Sequence, residues 1–145
     1  MDCVFCSICR GQEDALILDE TDKTLAFAPL DHISEGHMLV IPKEHYESLL
    51  DIPEPTLCTV MKHVRTISRR LCSSDFDGVN LLNASGRAAQ QSVPHFHVIS
   101  HPAEKATNWT SGPIVRTTKL KPTVSMKTFE VHSRRATSSS RPLVT

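Results

Sequence analysis

The sequence is short of aromatic side chains, of net charge and of long apolar runs, and each shortage excludes something. Five Phe, one Trp and one Tyr in 145 residues are a lean supply for one packed unit, so part of the chain is expected to stand outside the core. Sixteen bases balance sixteen acids, which excludes a polybasic binder of nucleic acid or membrane surface on whole-chain grounds. No apolar run approaches the ~20 residues that span a bilayer. Met1-Asp2-Cys3 opens no basic-then-apolar leader, so the cytoplasm is the expected compartment. Five cysteines, three of them Cys3, Cys6 and Cys9, make a poor disulfide framework and a better reduced, metal-binding pair.

The zero net charge conceals a split. Residues 1–101 carry 14 acids and 8 bases, whereas residues 102–145 carry 2 acids and 8 bases and are rich in Thr and Ser. The first part is expected to be the folded domain. The second has no sustained period of 2 or 3.6 and reads as a disordered basic tail.

Within residues 1–101 the pattern predicts an α+β fold. Strands are expected at 15–20 and 24–28, joined as a hairpin by Thr21-Asp22-Lys23. A third strand at 38–41 is nearly all apolar and stops at Pro42, which suits the middle of a sheet. Residues 55–71 place Leu57, Val60, Met61, Val64, Ile67, Ser68 and Leu71 on one helical stripe. Lys62, Arg65, Arg69 and Arg70 form its solvated face. A short helical piece is expected at 45–50, a fourth strand at 78–83, a loop at 84–91 and a fifth strand at 93–100.

The chemistry concentrates on that fifth strand. His95 and His97 are two residues apart, so both imidazoles share one face, about 7 Å apart along the chain. Ile99 and His101 continue the same parity. A polar turn carrying Gln91 and Ser92 leads into the pair. An imidazole can attack phosphorus while N–H and O–H donors neutralise the oxygens and a second imidazole supplies a proton. Cys3-x-x-Cys6 is a zinc-type knuckle, suggestive on its own.

Two runs in register carry a family resemblance: Gly36-His37-Met38-Leu39-Val40-Ile41-Pro42-Lys43-Glu44-His45 and Gln91-Ser92-Val93-Pro94-His95-Phe96-His97. Together with the Cys pair, the Phe27 strand and Asn83, residues 3–98 resemble the histidine triad (HIT) family of nucleotide hydrolases and transferases. The resemblance implies a five-stranded antiparallel sheet with one long and one short helix, in a homodimer. It implies cleavage at the α-phosphorus of a purine nucleoside phosphoramidate or dinucleotide. His97 would be the nucleophile and form a nucleotidyl-imidazole, with His95, His37 and Ser92 as the other catalytic residues. Phe27 and Leu30 would flank the base, and Asn83, Gln91 and Ser92 would serve the phosphate. Cys3, Cys6, His45 and His95 would hold a structural Zn²⁺. No membrane or nucleic-acid partner is expected.

Two positions depart from the family pattern. Pro29 stands where an acid often holds the ribose. Ile99 stands where the third triad histidine belongs, and it can neither carry charge nor give a proton. Impaired turnover, a non-catalytic nucleotide binder and a zinc-stabilised interaction module are the readings this leaves open. The departure continues downstream. A one-base shift read from the third base of codon 98 can restore a family-like run that begins with the missing histidine, and Asn108-Trp109-Thr110 force its central Leu-Asp whatever codons are used.

Overall fold

Apolar alternation along the strands sets the architecture. The computed structural model describes residues 3–28, 37–74, 76–103 and 132–134. Helix α1 spans Val4–Cys9, strands β1 to β3 span Ala15–Glu20, Thr24–Ala28 and Met38–Pro42, and α2 spans Glu54–Ser74. Strand β4 (Gly78–Leu82), a 3₁₀ turn (Arg87–Ala89), β5 (Val98–Ala103) and β6 (His132–Arg134) follow. The sheet is antiparallel, in the order β4-β5-β3-β2-β1-β6.

Each inner strand sends alternate side chains to opposite faces. Leu18, Ala26, Ala28, Met38, Val40, Phe96 and Val98 meet the α2 stripe of Val60, Val64, Ile67 and Leu71. Ile17, Leu25, Phe27, Leu39 and Ile41 face the other way and are covered by Phe5 and Ile8 of α1. Strands β2 and β3 are therefore buried on both faces, which is why their sequences read as nearly unbroken apolar runs. A bulge between Ile17 and Asp19 lets Asp19 follow Leu18 onto the α2 side. There its carboxylate takes Arg70 at 2.7 Å and approaches His63 at 3.5 Å.

Several expectations change. The helix at 45–50 is absent, because the Asp51 carboxylate accepts from the backbone N–H of Glu47 and of Ser48 at 2.8 and 2.6 Å and holds a turn instead. The short helix is α1, in the Cys-rich lead-in. Strand β5 begins at Val98 rather than at residue 93. Pro94 offers no N–H, the N–H of His95 turns back to the Val93 carbonyl, and that of Phe96 goes to Tyr46. Met61 is exposed and leaves the α2 stripe, while Arg70 reaches Asp19 from the solvated face. A sixth strand joins the five. Pro102 and Ala103 prolong β5, and His132–Arg134 pair with Ala15, Leu16 and Ile17 of β1, so these pieces of the expected tail lie in the sheet.

Candidate active site and metal centre

The site grows from the irregular segment that feeds β5. Phe96 is buried against α2, and this anchors the chain so that the residues on either side of it face the opposite way. Both rings meet Phe5 of α1 edge-on, with centroids at 5.7 Å for His95 and 5.4 Å for His97. The shared face expected of a strand thus survives, although the segment makes no ladder hydrogen bonds there.

His97 is locked by its own backbone. Its Nδ1 lies 2.7 Å from the His95 carbonyl oxygen, which can only accept, so Nδ1 carries the proton. In the neutral ring Nε2 then holds the free lone pair. The Asn83 amide donates to the His97 carbonyl at 2.8 Å, and Ser85 Oγ donates to Asn83 Oδ1 at 2.7 Å. Asn83 therefore braces the backbone of His97.

His95 is committed elsewhere. Its Nε2–H donates to the Pro42 carbonyl at 2.9 Å, which leaves Nδ1 as the lone-pair atom. That Nδ1 lies 3.4 Å from Cys3 Sγ and 3.5 Å from Cys6 Sγ, and His45 Nδ1 lies 3.4 Å from Cys6 Sγ. The donor atoms of Cys3, Cys6, His45 and His95 all fall within 4.8 Å of one another. A tetrahedral zinc with bonds of about 2.3 Å to sulfur and 2.0 Å to nitrogen gives S···N edges of about 3.5 Å, so the cluster fits that ion. The Pro42 carbonyl supplies the outer hydrogen bond that orients a ligating imidazole. Burial lowers the proton affinity of His95, which keeps it in the neutral form a metal takes. Burial and the neighbouring Cys3 raise that of Cys6: two thiols this close resist joint ionisation without a cation between them. Cys9 is pushed up to about 11, first by burial and then by Cys6, and stays a thiol outside the cluster.

His37 lies on the same face as His97, at the mouth of β3. Burial, then the nearby His101 and His97, push it down to about 4, so it is neutral at pH 7. Its ring stacks on His101, with centroids 4.5 Å and planes 25° apart. Ile99 lies between Leu39 and Leu82 in the sheet register and packs into the apolar layer beneath α1.

The turn ahead of His95 is held by Gln91. Its side-chain carbonyl accepts from Gly86 N–H at 2.6 Å, and its amide donates to the Glu47 and Val93 carbonyls at 2.6 and 2.9 Å. Gln91 thus shapes the turn, and Ser92 is left exposed at its tip. Phe27 is 2% exposed with its ring against Phe5, so it belongs to the core under the site. Leu30 lies outside the described residues. Sequence reasoning missed Phe5, the residue that packs against both histidines. Its signal was weak, an apolar Phe5/Ile8 pair at helical spacing inside a run dominated by cysteines.

The HIT domain family matches residues 10–102. An uncharacterized HIT-like protein of Methanocaldococcus jannaschii is 39% identical over 99 residues, 67% of this chain and 77% of that one. The adenosine 5'-monophosphoramidase hnt1 of Schizosaccharomyces pombe is 34% identical over 119 residues, 79% of this chain and 87% of that one. Among solved structures, a zinc-bound histidine triad family protein from Mycobacterium smegmatis superposes with a TM-score of 0.71 at 32% identity, covering 76% of this chain and 81% of that one. The chain belongs to the HIT family.

Proposed function

We propose that this protein hydrolyses a purine nucleoside phosphoramidate or dinucleotide at the α-phosphorus, with His97 Nε2 as nucleophile. The observation that carries this reading is the 2.7 Å bond from His97 Nδ1 to the His95 carbonyl. It fixes the tautomer whose other nitrogen can attack without first losing a proton. A phosphoramidase among the relatives supports the substrate class.

In this mechanism His97 Nε2 bonds to the α-phosphorus as the leaving amine departs, and water then hydrolyses the nucleotidyl-imidazole. Asn83 and the His95 carbonyl hold His97 in line throughout. Ser92, at the exposed tip of its turn, donates to a phosphate oxygen. Leu30 would contact the base, and Phe27, in the core against Phe5, would support that side of the site from below. Cys3, Cys6, His45 and His95 hold Zn²⁺, which ties α1 and its Phe5 to the segment carrying His97. The role of His95 is then to ligate the metal and to position His97 through its carbonyl. Dimerisation would use β4, which has no neighbour on its outer side among the described residues and exposes Leu81 and Leu82. The cytoplasm is the proposed compartment.

Ile99 favours a second reading, a nucleotide binder without turnover. Adenosine 5′-phosphoramidate separates the two. Hydrolysis by the full chain that disappears in His97→Ala supports the enzyme. AMP binding by a folded chain that produces no ammonia supports the binder.

A further inference from the structure

Ile99 removes an imidazole from the site, and the sheet register puts another one close by. Met38 pairs with Ser100, so one step further His37 faces His101 across β3 and β5. Asn80 of β4 is the neighbour of His101 on its other side. His37 and His101 stack at 4.5 Å between centroids. His37 is buried, and neither of its ring nitrogens has a hydrogen-bond partner among the described residues. Among those residues, the titratable groups that face it are His101 on β5 and His97 in the β5 lead-in. Burial makes both imidazoles reluctant to take a proton, and two in contact resist a second more than a first. An arriving phosphate anion offsets that cost, so the pair takes up one proton beside the nucleophile when the nucleotide binds.

We propose that His101 is a positioning residue that pairs with His37 to form a one-proton donor, replacing the third triad imidazole lost at Ile99. The inference rests on the reading of His97 as nucleophile toward a nucleoside phosphoramidate. As the bond from His97 Nε2 to phosphorus forms, the bond from phosphorus to the leaving amine breaks and its electron pair stays on the amine. The amine takes the proton held by the pair through His37, and the pair becomes neutral. Water oxygen then bonds to phosphorus, the electron pair of the P–Nε2 bond returns to His97, and the proton lost by water refills the pair.

His101→Phe keeps a stacking ring and removes the second imidazole. With adenosine 5′-phosphoramidate it is expected to lower kcat about tenfold, less than the ~10² to 10⁴ lost with a whole proton-transfer group, and to leave KM within about threefold. Its alkaline limb moves to higher pH, because His37, which must carry the proton to give it, loses a repelling neighbour. Ile99→His in the His101→Phe chain restores kcat. A His101→Phe chain with the kcat and pH profile of the native protein would overturn the proposal.

Histidine NMR with AMP alone tests the pair without relying on turnover. The nucleotide should raise the titration midpoints of His37 and His101. Midpoints unmoved by bound AMP overturn the proposal. Raised midpoints in a native chain that does not hydrolyse the phosphoramidate uphold the pair and defeat only the hydrolase reading.

Discussion

Single atoms decide most of what His97 and its neighbours can do. The pattern His95-Phe96-His97 told which residues share a face, but not which nitrogen of each ring is free. That depended on the His95 and Pro42 carbonyls, and backbone carbonyls leave no mark in a sequence. His63 had no visible partner either. In the fold its Nδ1 meets Thr24 Oγ1 at 2.7 Å, and its Nε2 approaches Asp19, two residues far away in the chain. Burial lowers its proton affinity, and the attraction of Asp19 only partly offsets this. The unfolded chain therefore takes up a proton more readily than the folded one. The stability His63 contributes is complete above about pH 6.5 and is lost as pH falls through that value toward the lower folded midpoint. His37 and His101 are lowered too and act in the same direction. Thermal unfolding should show a falling Tm from pH 7 to pH 5, with a shallower fall in His63→Gln. An unchanged slope in that variant would place the pH response elsewhere.

At the level of elements, the strands and the long helix were legible because their periodicity is strong, and α2 differs from its expected bounds by one to three residues. The segment before β5 was misread as strand because alternation continues through it while the hydrogen bonds do not. Phe96 maintains that alternation by filling the α2-side core at 1% exposure. Phe96→Ala is expected to cost about 3–5 kcal/mol, measured by denaturant unfolding, and to lower catalysis by unseating the histidines on either side. A loss below about 1 kcal/mol would show that the segment is anchored by other contacts. Helix α1 was hidden because six residues give too short a pattern to register. Its attachment to the site is the cluster of Cys3, Cys6, His45 and His95, the proposed zinc ligands. Stripping the metal with a chelator should lower Tm by at least about 5 °C, given that about 1 kcal/mol moves a domain of this size by 4–8 °C. Cys3→Ser and Cys6→Ser should abolish both zinc content and chelator sensitivity. A native chain purified with no zinc and unaffected by chelator would remove the metal from the account.

For the molecule as a whole, composition separated a folded region from a basic one, yet it could not show that three residues near the C-terminus reach β1. A three-residue strand has no readable period, and its partner lies more than a hundred residues earlier. At the other end of the sheet, Leu81 and Leu82 are 45% and 50% exposed on β4. Two large apolar side chains on a strand with no outer neighbour among the described residues are a liability unless a second copy covers them. Leu81→Glu with Leu82→Glu should convert a dimer into a monomer in analytical ultracentrifugation while leaving the circular dichroism unchanged. A native chain that sediments as a monomer would end this expectation. Neither strand length nor hydrophobicity identified this edge in advance, because which strand lies outermost depends on the order in which the sheet is assembled.

The central claim is that His97 Nε2 becomes covalently attached to phosphorus. Its most direct test is mass spectrometry of the full chain quenched in alkali during turnover of adenosine 5′-phosphoramidate, since a phosphorus–imidazole bond survives base better than acid. One adenylyl group per chain is expected, mapped to the peptide containing His97 and absent from His97→Ala. Ammonia release at an undiminished rate from His97→Ala, or an adduct on another residue, would contradict it.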